Sequence, residues 1–492
     1  MPPPPDIRSQ STGAEMTELY WMALLRDTSA HTIMDGKNAM VKDAATEINQ
    51  QYRNAIGAEG VLYPGIDLPG ADGVMDDITH RNLFRVGLPG EERGPLISQF
   101  FVRDIPYGSQ KIDPRVNPYT KGKNYLIKFK DWYEAQKTGK GADGFAYPKA
   151  NEDSPEYFED QGDLQRYIAT PRDLARFVHK DALHQAYFNA AILLLAGEAR
   201  WTPGNPYSKD PREAGFGTFG GPHILSLVSE VATRALKIVW NQKWRVYLRL
   251  RPEAYAGLVH VQNIGVGGQQ RHYGLPRFVA ETKAASQVRM LNAGCKDGED
   301  TFLLPMAFSS GSPIHPAYGA GHACVAGACV TVLKAFFDMD CKDCKKPTPA
   351  PIESLTERST PFGKKAPWTL YVTDDSKCNR IILKDTDGMT IEGELNKLAA
   401  NVAMGRSMGG VHWRTDNTRS LLLGEALAAG ILAEITTDSV DTVKNSSENF
   451  IRRPKFVFRT FSRGADGKPR NVEIENGRVF VDNKRVEPLS SL

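Results

Sequence analysis

Cysteine is scarce in this sequence: six fall among 492 residues, at positions 295, 324, 329, 341, 344 and 378. That excludes a disulfide-stapled scaffold, which needs far denser spacing. Cys341 and Cys344 have metal-knuckle spacing, but no second pair or nearby histidine accompanies them, so zinc is not expected. A bridge within residues 341–378 is left open for an oxidising compartment. An excess of either charge is also missing. With 61 basic and 58 acidic residues the formal net charge is +3, which argues against nucleic acid or a membrane surface as partner. No apolar run reaches the length of a membrane span. Residues 1–15 hold four prolines and no apolar core segment, so no signal peptide is expected and the cytoplasm is the default compartment. Neither an internal repeat nor an EF-hand calcium loop is found.

What is present suffices for a large core, since 41% of the residues are hydrophobic. The expected divisions are a disordered proline-rich tip at 1–15, a helical and loop region at 16–169, a helical-bundle core at 170–437 and a C-terminal β appendage at 438–492. Apolar periodicity predicts helices over 17–26 and 41–56. Residues 57–150, rich in Gly, Pro and Asp, predict surface loops with short elements. Thr170 and Pro171 open a helix that should run on to residue 196, with Asp173 in its first turn. Another is expected over 223–251, ending where Pro252 restricts the residue before it. Residues 342–368 predict a solvent-exposed excursion, and two more helices are expected at 391–408 and 417–434. In the tail, alternating apolar residues and Asn476-Gly477 predict a type I′ hairpin. The class is mainly α: a helical bundle with a small C-terminal β hairpin region.

Three segments carry nitrogenous or positive groups to the end of a long helix. The central one is Pro313-Ile314-His315-Pro316-Ala317-Tyr318-Gly319-Ala320-Gly321-His322-Ala323, followed at once by an apolar run to Phe337. A core helix starting at Gly321 points free N–H groups and a positive dipole end into the interior, which suits an oxyanion. The plain alternative is a buried helix start with two hydrogen-bonded histidines. Upstream, Lys243 and Arg251 lie eight residues apart. On a continuous helix they would be about 80° apart and two turns along, able to reach one site. Arg245 and Arg249 are assigned to a solvated basic face. Downstream, Gly409-Gly410 interrupt the helix between Arg406 and His412, so both side chains can turn to one point. Asp416 either holds the other imidazole nitrogen of His412 or caps the next helix. Such an inventory suits a tetrahedral or trigonal-bipyramidal oxyanion. With phosphorus at the centre, His412 is a nucleophile; with vanadium, it is a permanent ligand beside a Lewis acid. Composition does not choose between them.

Taken together and in this order, the segments resemble the active-site signature of the vanadium-dependent haloperoxidases, closest to the algal and cyanobacterial bromoperoxidases. The resemblance rests on the Lys243-to-Arg251 spacing ending in Arg-Pro-Glu, the His-Pro-x-Tyr-x-x-Gly-His block, and Arg406-x5-His412-Trp-Arg-x-Asp. It extends from about residue 170 to about 437, including the turn at 218–222. The related type-2 phosphatidic acid phosphatases usually place lysine and arginine seven apart.

The resemblance implies a vanadate cofactor. Lys243, Arg251 and Arg406 would neutralise its oxygens, Gly321 would give a backbone N–H, His322 would act as acid–base group, and His412 would bind vanadium. His315 matches a histidine of the algal bromoperoxidases, which implies bromide as the halide. Hydrogen peroxide, halide and small organic acceptors are the implied partners, in a homo-oligomer built on dimers. Structural calcium is left undecided. One departure is plain: the family's Ser-Gly-His reads Ala320-Gly321-His322 here. A missing charged hydrogen bond of about 1.5–3 kcal/mol implies weaker vanadate binding. Two rival functions stand beside this one: an acid phosphatase with His412 as nucleophile, and a non-catalytic oxyanion-binding scaffold.

Overall fold

The computed structural model of the chain describes every residue except 60–77, 141–164, 209–211, 342–347, 359–363, 376, 387, 439–442, 445–450, 465 and 487–492. Three helices open the chain: α1 (Gln10–Leu24), α2 (Ala30–Asp35) and α3 (Ala39–Glu59). α1 starts well before residue 17 because Ser9, in extended backbone, accepts from Thr12 N and caps the first turn. Nor is the proline-rich tip disordered. Tyr318 donates its hydroxyl to Pro2 O at 2.7 Å, and Tyr247 donates to Met1 O. Proline φ is already restricted, so ordering this segment loses little backbone entropy. Short elements follow, as expected: a hairpin of Ile105–Tyr107 with Gln110–Ile112, then α4 (Phe129–Thr138).

Two helices expected to be continuous are broken, and both breaks serve the site. Residues 170–196 form α5 (Pro171–Lys180) and α6 (Gln185–Ala196). Thr170 and Asp173 close a full capping box at the start of α5. The chain leaves the helix at Asp181, whose backbone is extended (φ −72°, ψ 149°) and whose carboxylate bonds His322 on a distant helix. Residues 223–251 begin as α7 (Gly221–Asn241), pass into a π-helical turn over Gln242–Tyr247, and stop at left-handed Leu248 (φ 49°). Beyond it Arg249 O accepts from Ala317 N at 2.9 Å, tying this loop to the 313–323 segment. Arg251, at ψ 151°, obeys the bias before proline. The helices α8 (Pro252–Asn263), α9 (Phe278–Glu281) and α10 (Lys283–Gly294) had no counterpart in the sequence reading.

The centre of the bundle is α11 (Gly321–Phe336), flanked by α7, α12 (Ile391–Met408) and α13 (Arg414–Asp438). Its residues from Ala323 to Phe336 are all buried, which is why its apolar pattern shows no polar face. α11 and α13 touch backbone to backbone. A Cβ at Gly327 would meet Leu421 O at 2.1 Å, and one at Gly424 would meet Cys324 O at 2.1 Å. α13 is long and apolar enough to cross a membrane by length and composition, yet it packs against α11 and the C-terminal strands.

The 342–368 stretch is less exposed than expected. Ala350, Ile352, Leu355 and Trp368 are buried, with Arg103 Cζ 4.0 Å above the Trp368 ring. Cys341 is disulfide-bonded, its partner lying outside the described residues, and Cys378 is a free thiol. The tail forms a four-stranded antiparallel sheet from Lys455–Arg463, Pro469–Glu475, Arg478–Val481 and Lys484–Val486. Asn476 and Gly477, at φ 48° and 72°, make the expected type I′ turn between Glu475 and Arg478.

Candidate active site

The site lies where the loop after α7, the start of α11 and the turn between α12 and α13 meet. His412 is fixed on both ring nitrogens. Its Nδ1 lies 2.9 Å from Asp416 Oδ2, and its Nε2 lies 3.0 Å from Arg251 Nη1. A guanidinium only donates, so Nε2 accepts and the ring proton sits on Nδ1. Burial, and then the charges of Arg251 and Lys243, hold this imidazole well below its usual pKa. The ring is neutral, with the Nε2 lone pair turned toward the cations. Asp416 also accepts from Trp413 N at 3.0 Å, so it fills both roles left open by the sequence: it holds His412 and closes the first turn of α13.

Lys243 is 1% exposed and donates to Pro316 O at 2.6 Å and Ala317 O at 3.1 Å. Burial and the neighbouring Arg251 push its ammonium well below the usual pKa. Arg251 donates to His315 O at 2.9 Å and Val411 O at 2.7 Å, and its Nη2 lies 3.0 Å from His315 Nδ1. His315 therefore accepts on Nδ1. Burial, then Arg251 and Lys243, push its pKa down to about 2. Its ring packs 5.0 Å from Trp240. Arg406 is 2% exposed and donates through Nη1 to Val178 O at 2.9 Å. Its buried Nε has no hydrogen-bond partner among the described residues.

His322, in the first turn of α11, sets Nε2 at 3.0 Å from Asp181 Oδ1. Burial alone would raise the Asp181 carboxyl; His322 and Arg406 oppose it and hold it below the usual range. Gly321 opens the helix behind Ala320, which has no side-chain cap. A Cβ at Gly321 would meet only Leu236 Cδ2, at 3.5 Å, so the glycine leaves open space at the helix start.

A family model described as the VCPO second helical-bundle domain matches residues 224–438. The vanadium-dependent bromoperoxidase of Corallina pilulifera is 34% identical over 93% of this chain and 75% of its own length. The vanadium-dependent bromoperoxidase of Ascophyllum nodosum is 32% identical over 94% of this chain and 72% of its own. A solved homohexameric structure of a second vanadate-dependent bromoperoxidase from Ascophyllum nodosum superposes with a TM-score of 0.77 at 28% identity. It covers 98% of this chain and 74% of that one. The chain belongs to the vanadium-dependent haloperoxidase family.

Vanadate is the cofactor of a vanadium haloperoxidase, and three features of this chain fit that oxyanion. The orphaned Arg406 Nε would donate to an oxygen, His412 Nε2, which now faces Arg251, would be the ligand atom, and the open start of α11 would offer N–H groups. Sequence reading missed two kinds of residue in this haloperoxidase. Asp181 has no motif around it and was hidden inside an expected helix. Arg249 was assigned to a solvated face, but its side chain is 7% exposed and ion-paired to Glu15 and Asp416. The periodicity that placed it outward assumes regular helix, and the π-helical turn rotates it inward. Among the described residues no group of three or more His, Cys, Asp or Glu side chains is arranged to hold a metal ion.

Proposed function

We propose that this vanadate-dependent haloperoxidase oxidises bromide with hydrogen peroxide to a hypohalous-acid equivalent, which then halogenates small organic acceptors. The observation that carries this reading is the neutral His412, whose Nε2 lone pair faces Arg251 while Asp416 holds the proton on Nδ1. Bound vanadate supplies Lewis-acid activation of peroxide, with no change in the oxidation state of the metal. Lys243, Arg251 and Arg406 balance the negative charge of the bound anion, and Gly321 adds its backbone N–H. Peroxide, bromide and a proton give hypobromous acid and water, a two-electron oxidation of the halide.

In this reading His322 handles the proton. Its Nε2 is engaged by Asp181, so Nδ1 is the nitrogen that takes a proton from peroxide and returns it to the leaving oxygen. His315, held neutral beside Arg251 and Trp240, faces the halide. The homohexameric relative supports assembly of this chain as a homo-oligomer. The test is bromination of monochlorodimedone with peroxide and vanadate, run beside hydrolysis of p-nitrophenyl phosphate. Bromination without hydrolysis is expected. Hydrolysis alone would make His412 a phosphatase nucleophile, and vanadate binding with neither reaction would leave a scaffold.

A further inference from the structure

On the Nδ1 side of His412 lies a second charged cluster, of which the roles above use only Asp416. Asp416 Oδ1 accepts from Arg249 Nη1 at 2.8 Å, while the same guanidinium donates through Nη2 to Glu15 Oε2 at 2.8 Å. Glu15 Oε1 then accepts from both Thr415 N and Thr415 Oγ1, each at 2.7 Å. Thr415 Oγ1 in turn accepts from Arg249 Nη1 at 2.7 Å. The guanidinium sits 4.9 Å from the centre of the Trp413 ring. Glu15 and Asp416 are fully buried.

The three charges come from three places: α1, the loop after the π-helical turn, and the start of α13. Each closes a geometric freedom of the next. Glu15 fixes Arg249, Arg249 fixes the Asp416 carboxylate, and that carboxylate fixes the plane and the tautomer of His412. Two carboxylates around one guanidinium leave a net negative charge behind Nδ1–H, which favours the proton on that nitrogen. A histidine that binds a metal depends on such an acceptor for ring orientation and for the availability of its other nitrogen.

We propose that Glu15 and Arg249 are positioning residues: acting through Asp416, they fix the ring plane of His412 with its proton on Nδ1 and so keep Nε2 aimed at vanadate. The inference rests on the reading of His412 as the vanadate ligand. It brings a residue of the first helix, outside the matched family region, into the making of the site.

The experiment compares two anions on the full chain without peroxide, by isothermal titration. Vanadate takes a bond from His412, whereas inorganic phosphate is held by the cations and helix start alone. Arg249→Met and Glu15→Gln are each expected to weaken vanadate about 10–100-fold while phosphate stays within about twofold. Thr415→Val, which removes only the shared hydroxyl, is expected to weaken vanadate by a smaller factor in the same selective way. A purely structural role would lower both affinities together, and that result overturns the proposal; so does unchanged vanadate affinity. Should Arg249→Met fail to fold, Glu15→Gln and Thr415→Val decide it. His412→Ala serves as the control and should erase the preference for vanadate over phosphate. If that preference survives in His412→Ala, the reading of His412 itself falls.

Discussion

The two faces of the His412 imidazole are built on opposite electrostatic plans. In front stand Lys243, Arg251 and Arg406, buried together, with Asp181 already engaged by His322. Behind stand Arg249, Glu15 and Asp416, where carboxylates outnumber the guanidinium and Asp416 and Glu15 each hold one of its arms. Burying charge is unfavourable unless it is paired. The front therefore gathers three buried cations, whereas the back sets two carboxylates around one guanidinium with every charged group hydrogen-bonded. A buried cluster of one sign suits an anion; a cluster of mixed sign that bonds to itself holds the site in shape.

The largest effect expected on this contrast comes from deleting its centre. His412→Ala should abolish vanadate retention and bromination, a loss beyond the roughly 10–100-fold typical of outer-shell partners. Helical circular dichroism should be unchanged; full bromination with saturating vanadate would end the assignment.

Truncating a front cation separates the two plans. Lys243→Ala or Arg406→Met should weaken vanadate or peroxide affinity by about 2–5 kcal/mol. Without anion, the same variants should unfold at the wild-type temperature or above it, since they relieve buried like charge. A lower melting temperature in the anion-free protein would show that the front cluster is compensated after all.

A third test uses a buried pair far from the site. Glu425 is pushed up to about 7 by burial, with Lys334 4.0 Å away and its own Oε2 without a partner among the described residues. Its folded pKa lies above the usual 4.5, so the folded state binds more protons between those values. The stabilisation is present at lower pH and is lost as pH rises through about 7, amounting to about 3 kcal/mol at most. Urea unfolding across that window should show the slope in the wild type and lose it in Glu425→Gln. An equal slope in both would place the titration elsewhere.

The smallest effect concerns Ala320, where the family's hydroxyl is missing. Ala320 N donates to Ser420 Oγ at 2.9 Å, so one hydroxyl already lies beside the helix start. Ala320→Ser is expected to bind vanadate about tenfold more tightly, from about 1.4 kcal/mol of added hydrogen bonding. Equal affinity in a vanadate titration of bromination would mean that the front face is complete around alanine.

Much of the front face was legible because its residues come in short stretches with local causes. Gly321 before an apolar run makes a buried helix start, and Gly409-Gly410 turn the chain between Arg406 and His412; away from the site, Asn476-Gly477 mark the hairpin of the tail by their positive φ. Such signals act over a few residues and survive without knowledge of the fold. The expected bounds of α12 agree with the structure, where Thr390 caps its start and Gly409 ends it.

The rest depended on contacts between segments far apart in the chain. Asp181 leaves its helix for a hydrogen bond to His322, the π-helical turn brings Arg249 inward, and Glu15 joins it from α1. None of these has a local pattern. At Asp181 and beyond Tyr247 a hydrogen bond or buried charge supplied from a distance outweighs the small free-energy preference for continuing regular helix, whereas Glu15 reaches out from within an unbroken α1. The sequence by itself determined the mainly helical class, the bounds of several long elements and the family. Only the tertiary structure decided which charges gather in front of the histidine and which stand behind it, because that choice belongs to pairs of residues hundreds of positions apart.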